Sequence, residues 1–480
     1  MKTTNVLLFS VAASLLLAGC AIGPNYEKPN IETPKQYTKS DGVKDDKNVT
    51  NIDKKWWKSF GDEGLSEAVD KAIKVNYDIK IASAQVDAVL GQFDEAKSYL
   101  YPHINASGSL TRKGVSGSTD NNLKNGVTNT FAASLAMASY EIDLFGKVRR
   151  ATEAARAMLL ASEYNRRATH LSVASATAAS YARLSSMSAQ VEIAKENITT
   201  ASEIEKITKK KYDLGYASEV DWLQSLSQLE GAKATLAQLE ASKIAESATL
   251  NVLLGQTPTK VDTSAIDNIK IPVVPVGLPS DILARRPDIG AAEQNLIAAN
   301  ARIGVAKGAY FPSISLTGMF GNQSSEFSKL FSSPTKLWQV APSINLPLFT
   351  AGMIAGQVKE AEAGKDQSLA QYQKTVIAAF NDADSAIGQN YHAKEQDEAS
   401  QKRAEAMQKA FESAKLRYKV GTISYADMLI VQQNWLSAKQ QAVIAKQNRI
   451  ITTINLYKAL GGGWDDKETP ELPSLLPAGR

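Results

Sequence analysis

Lys211-Tyr212-Asp213-Leu214-Gly215 and, 206 residues further on, Arg417-Tyr418-Lys419-Val420-Gly421 are two versions of one pentapeptide. The same offset carries Leu253-Leu254-Gly255 onto Ala459-Leu460-Gly461. Nearer each start, Asp78-Ile79 matches Asp288-Ile289 and Tyr101-Pro102 matches Phe311-Pro312, both at an offset of 210. Self-similarity at a fixed long spacing marks a duplicated structural plan. The two pentapeptides therefore hold equivalent places in two halves, residues 63–270 and 271–464.

Upstream of the first pentapeptide, Lys147 to Leu214 is a run of 68 residues with neither Gly nor Pro, rich in Ala, Glu, Lys, Arg and Leu. These are strong helix formers, and one continuous helix of that length spans about 100 Å. A globular domain has no use for it. Ala157, Ala161, Tyr164, Ala168, Leu171, Ser175, Ala178 and Ala182 recur at alternating spacings of four and three, a seam suited to close, coiled-coil-like packing. Downstream, 39 residues separate Gly215 from Gly255, and 39 separate Gly421 from Gly461. Gly215 and Gly421 read as left-handed C-caps that reverse the chain. Ser218 with Asp221, and Ser424 with Asp427, read as capping boxes opening the return helices.

Between an early helix, about Gly64 to Leu100, and the long one lies a different texture. His103 to Arg112 and Thr130 to Leu144 alternate apolar positions, Ile104, Ala106, Gly108, Leu110 and then Phe131, Ala133, Leu135, Met137, around a polar loop from Gly114 to Thr128. In the second half, Ser313 to Phe320 and Trp338 to Leu348 do the same, with Trp338, Val340, Ile344 and Leu346 set against Gln339, Ser343 and Asn345. Period-two alternation means one polar and one apolar face, the pattern of a membrane strand between lipid and water. Four strands cannot close a barrel that leaves a lumen, whereas three copies supply twelve. The expected class is mainly α with membrane β, with two structural repeats per chain.

The N-terminus sets the compartment. Lys2 precedes an apolar run from Val6 to Ala18 that ends in Leu17-Ala18-Gly19-Cys20, which reads as a lipoprotein signal over residues 1–19 with Cys20 as the lipidated new N-terminus. Residues 20–62 then form a lipid-anchored segment, and residues 465–480 a loosely ordered tail. Cys20 is the only cysteine in 480 residues, which excludes disulfides within the chain and thiolate clusters. A formal charge of +4, with no basic patch interleaved with aromatics, argues against nucleic acid as a partner.

Five segments resemble one family: Trp56-Trp57-Lys58-Ser59-Phe60; Tyr140-Glu141-Ile142-Asp143-Leu144-Phe145-Gly146-Lys147-Val148-Arg149; Gly277-Leu278-Pro279-Ser280-Asp281-Ile282-Leu283-Ala284-Arg285-Arg286-Pro287-Asp288-Ile289; Tyr310-Phe311-Pro312-Ser313-Ile314-Ser315-Leu316-Thr317-Gly318; and Leu460-Gly461-Gly462-Gly463. Together they are similar to the TolC/OprM-like (NodT-type) outer-membrane factors, specifically the lipidated type serving resistance-nodulation-division pumps. The resemblance implies a homotrimer in outer-membrane lipid, a trimeric α-barrel of long coiled-coil-like helices continuous with a 12-stranded β-barrel; a periplasmic adaptor (membrane fusion) protein and an inner-membrane resistance-nodulation-division pump as partners; and a passive exit duct for drugs or other toxic compounds. Ala21 after the cysteine, where an aspartate is absent, agrees with sorting to the outer membrane.

The resemblance also places Tyr212, Gly215, Tyr418 and Gly421 at a periplasmic tip that contacts the adaptor. Asp221 and Asp427, six residues after the glycines, fall where the family sets acidic residues at a pore constriction; three copies would form rings of like charge. The same carboxylates suit the N3 position of a capping box. A second acidic position of the family, nine residues after the later glycine, is Ile430 here. Arg286-Pro287-Asp288 reads as a helix start, Gly461-Gly462-Gly463 as a helix stop, and His103, His170 and His392 lack ligand spacing. No cofactor and no catalysis are expected. A coiled-coil envelope scaffold is the alternative, and it has no need of alternating strands.

Overall fold

The computed structural model describes residues 21–34, 37, 53–115, 126–275 and 282–462. Cys20 with its signal, residues 277–281 of the third resemblance segment, and the tail lie outside the described residues.

The first half runs α1 (Glu63–Val75), α2 (Tyr77–Ser98), β1 (Ile104–Val115), β2 (Gly126–Ile142), α3 (Lys147–Asp213) and α4 (Glu219–Leu253). The second runs α5 (Ile282–Arg285), α6 (Pro287–Gly308), β3 (Ser313–Ser324), β4 (Lys336–Asn345), α7 (Met353–Lys419) and α8 (Tyr425–Ala459). The duplication reaches individual lengths: α3 and α7 have 67 residues each, α4 and α8 have 35, α2 and α6 have 22.

The early helix differs from expectation. It is two helices, broken at Asn76, whose side chain accepts from the N–H groups of Asp78 and Ile79 while its amide donates to the Leu253 carbonyl. An asparagine that caps a new helix and holds the end of α4 resists continuation of the old one. The predicted loop from Gly114 to Thr128 also shrinks, because Lys113 pairs with Thr128 and Gly114 with Val127 in the strand ladder. Polar side chains do not hinder the backbone bonds that extend a hairpin.

The long helices bury small residues. Ala157, Ala161, Ser175, Ala178 and Ala182 of the predicted seam are buried, and α3 packs along α6 and α8. Around the waist lies the main core: Trp56 stacks on Tyr457 at 5.1 Å, Phe60 adjoins them, and Tyr181, Leu250 and Ile266 close the cluster.

The sheet is antiparallel in the order β1-β2-β3-β4. Its register pairs Ala106 with Leu135, Leu135 with Phe320, and Phe320 with Trp338; a neighbouring row reads Ile104, Met137, Gly318 and Val340. The predicted apolar set of every strand thus falls on one face, except Leu346, which lies past the end of β4. The other face carries Ser107, Thr130, Ser134, Ser315, Thr317 and Ser343, with the hydroxyls of Ser107 and Ser134 3.0 Å apart. One device was not foreseen. Between Met137 and Tyr140, β2 carries an extra residue relative to Gly318 and Leu316 of β3. This bulge resets the parity, so that Tyr140 and Ile142 share a face with Met137.

Candidate functional site

Three parts of the molecule are candidates: the sheet, the two hairpin tips, and the N-terminal strap.

The sheet is unfinished in one chain. Among the described residues each outer edge, on β1 and on β4, carries backbone groups without a neighbouring strand, and the apolar face is bare: Trp338 is 73% and Ile344 72% exposed. An exposed apolar face is costly in water, and open edges cannot persist in hydrocarbon unless the sheet closes. The strands alternate in direction, so β4 of one copy can continue antiparallel onto β1 of another. No helix among the described residues is long and apolar enough to cross a membrane.

At the far ends of the long helices the pentapeptides reverse the chain. The Gly215 N–H donates to the Tyr212 carbonyl at 2.9 Å and the Tyr216 N–H to Lys211 at 2.7 Å; Gly421 to Tyr418 and Thr422 to Arg417 repeat this at 3.0 and 2.9 Å. Both glycines are left-handed, with φ of 78° and 77°. An added Cβ at either would meet no atom within 4 Å. Within one chain, therefore, the backbone angle alone selects glycine.

Both capping boxes are present. The Ser218 hydroxyl accepts from the Asp221 N–H, and the Asp221 carboxylate accepts from the Ser218 hydroxyl at 2.7 Å and from its N–H at 3.1 Å. These two bonds hold the Asp221 carboxyl below the usual carboxylate range. Asp427 has the same relation to Ser424. Both aspartates are exposed, as is Ile430.

Aromatic contacts bind the tips. Tyr212 stacks on Trp222 at 5.5 Å, with the Lys209 ammonium 4.5 Å above the indole. Tyr418 adjoins Tyr425 at 4.9 Å, and the Tyr425 hydroxyl donates to Glu203 at 2.7 Å, tying α8 to α3. That hydrogen bond, with some desolvation, pushes the phenol up to about 12. Beneath it Ile204, Ala414, Met428 and Leu429 form a small core shared by the two hairpins. Trp222, Tyr425 and Glu203 escaped the sequence reading. Aromatic residues in the first turn of the capped return helices were the available signal, but Glu203 lies 222 residues from its partner. Beyond these contacts Tyr216, Val220 and Val420 stand out, more than 70% exposed.

The strap begins at Ala21. The Ile22 N–H donates to the Phe145 carbonyl. The buried Arg150 guanidinium donates to the carbonyls of Ile22 and Gly23 and to the Asn25 side chain, and pairs with Glu153. The Asn300 amide donates to the Pro24 carbonyl; Tyr26 and Lys28 both bond Glu293. Gly23 and Gly304 meet so closely that a Cβ on Gly304 would lie 2.5 Å from the Ile22 oxygen. The chain following Cys20 is thereby pinned where strand β2 passes into helix α3.

The sequence profile of the outer membrane efflux protein family matches residues 68–256 and 278–462. The toluene efflux pump outer membrane protein TtgC of Pseudomonas putida is 33% identical over 466 residues, 96% of either chain. The cation efflux system protein CusC of Escherichia coli is 31% identical over 97% of this chain and all of its own. Among solved structures, the Campylobacter jejuni CmeC outer membrane channel superposes with a TM-score of 0.84 at 29% identity, covering 94% of this chain and 96% of that one. The chain belongs to the outer membrane efflux protein family.

Proposed function

We propose that three copies of this outer-membrane efflux channel close into one passive duct, with twelve strands across the outer membrane and the long helices extending about 100 Å into the periplasm. The observation that carries this reading is the four-stranded sheet with two free edges, one apolar face and one hydroxyl-lined face. A scaffold lipoprotein has no use for such a sheet. The polar face lines a water-filled lumen, and the apolar face meets lipid. Cys20 carries the lipid anchor, and the strap delivers it to the strand-helix junction, at the membrane surface.

The tips of the helical hairpins meet a periplasmic adaptor, which connects to an inner-membrane pump of the resistance-nodulation-division class. Exposed Tyr216, Val220 and Val420 beside Gly215 and Gly421 support that contact, as apolar groups on the rim of a water-filled tube need a partner. Tyr212 and Tyr418 brace the turns from within. Asp221 and Asp427 ring the constriction, and the bonds from Ser218 favour an ionised Asp221 within a ring of like charges. Opening follows from the partners moving the tip helices. The relatives are named for an organic solvent and for cations, and a wide lumen is equally suited to either.

Purified protein tested in planar bilayers and by crosslinking to a co-expressed adaptor decides the matter. A heat-labile trimer with ion conductance is expected; a water-soluble monomer that passes no current would end the proposal.

A further inference from the structure

Two cations interrupt the apolar face of the sheet. Arg112 lies on β1 on the side of Leu110, and Lys336 lies on β4 on the side of Trp338. Both are exposed, and neither joins an ion pair among the described residues. Each stands directly opposite an asparagine on the neighbouring strand, Arg112 facing Asn129 and Lys336 facing Asn322. They sit towards the hairpin ends of the strands, since α3 and α7 continue from the other ends. On the channel reading, that is the outer leaflet.

The border between apolar and polar residues on this face is oblique. On β1 it falls between Leu110 and Arg112, on β2 between Phe131 and Asn129; on β3 and β4 it lies four residues lower in the register, at Phe320 and Trp338. Four residues are about 13 Å along a strand, and β1 to β4 is about 14 Å across. A border at one membrane depth then requires strands tilted by about 40°, the tilt of membrane barrels. Arg112 and Lys336 therefore lie at a common depth despite their different rows. A lipid-facing cation is costly at the midplane and nearly free at the interface, which puts that depth among the headgroups.

We infer that Arg112 and Lys336 form a docking surface for the phosphate groups of anionic lipids in the outer leaflet, fixing the depth of the barrel. The inference rests on the trimeric channel reading. In that assembly β4 of one copy adjoins β1 of the next, so each of the three seams brings together one guanidinium and one ammonium. A guanidinium grips phosphate through two parallel bonds, an ammonium acts as a point charge, and the asparagines add neutral donors.

Native mass spectrometry of the purified trimer, titrated with bis-phosphorylated lipid A and separately with lipid A stripped of both phosphates, tests this. The wild type is expected to retain the phosphorylated lipid roughly thirtyfold more tightly than the double variant R112Q/K336Q, as two interfacial cations predict. K336R is expected to retain it. K113Q, which removes a charge from the opposite face of β1, is expected to match the wild type. Equal retention of both lipids by the wild type, or a loss in K113Q as large as in the double variant, overturns the inference. If the double variant fails to assemble, the comparison of the two lipids on wild type decides alone. Conductance separates the two levels: a conducting trimer indifferent to lipid phosphate removes only the docking surface, and a non-conducting monomer removes the channel reading beneath it.

Discussion

Tyr425→Phe removes a single oxygen from the contact that ties α8 to α3 at the tip. A hydrogen bond to a charged acceptor is worth about 1.5–3 kcal/mol, and a phenol raised from 10.0 to about 12 corresponds to about 2.7 kcal/mol. Glu203 is exposed and Tyr425 only partly buried, so solvent screening reduces both figures to about 1 kcal/mol. That is about fivefold in the opening equilibrium of one chain; three symmetric contacts released together amount to about a hundredfold. Open probability of single trimers in planar bilayers measures it. E203A should open equally, and the double variant Y425F/E203A no further, because both remove one interaction. The pH dependence follows from the sign of the shift. The bond to Glu203 raises the phenol, so the contact contributes fully below pH 10 and is lost as pH rises through about 12. Wild type should therefore loosen between those values and Y425F should not. A Y425F channel as quiet as wild type, or with the same alkaline opening, refutes the idea that this bond latches the tip.

Gly421→Val forces a β-branched residue into a left-handed conformation at a strain of about 1–3 kcal/mol, with no atom within 4 Å to clash; efflux should be lost while the trimer persists on native gels. Val340→Arg places a cation on the lipid face at a cost of about 2–4 kcal/mol and should block insertion, whereas Gln339→Arg, one residue away on the opposite face, should leave conductance largely intact; heat-modifiability of membrane fractions distinguishes them. Gly304→Val drives side-chain atoms into the Ile22 carbonyl and Arg150, overpacking by about 1–3 kcal/mol, and should make residues 21–28 roughly tenfold more sensitive to limited proteolysis. Cys20→Ser should abolish incorporation of labelled palmitate.

The features legible in the chain share a physical property: each is decided by residues within a few positions of one another. The Schellman turns at Gly215 and Gly421 need one glycine at the end of a helix, and the capping boxes need a serine and an aspartate three apart. The polar and apolar faces follow from period two, and helix length follows from the absence of Gly and Pro across residues 147–214. Asn76 was readable in principle, since an asparagine two residues before an aspartate is a helix start, but the helix formers around it masked the break.

What remained illegible depends on distant partners. The bulge between Met137 and Tyr140 is defined only against Gly318 and Leu316, yet it decides which way Tyr140 and Ile142 point. The reach of Arg150 to the strap, and of Tyr425 to Glu203, spans more than a hundred residues in each case, so no spacing announces either. By itself the sequence determined the two repeats, the tube-length helices and the two-faced strands, because hydrophobic periodicity and backbone propensity act locally. Only tertiary structure decided which rows of the sheet Arg112 and Lys336 occupy, the bond from Tyr425 to Glu203 and the seat of the N-terminal strap, because each requires the register of one strand or helix against another.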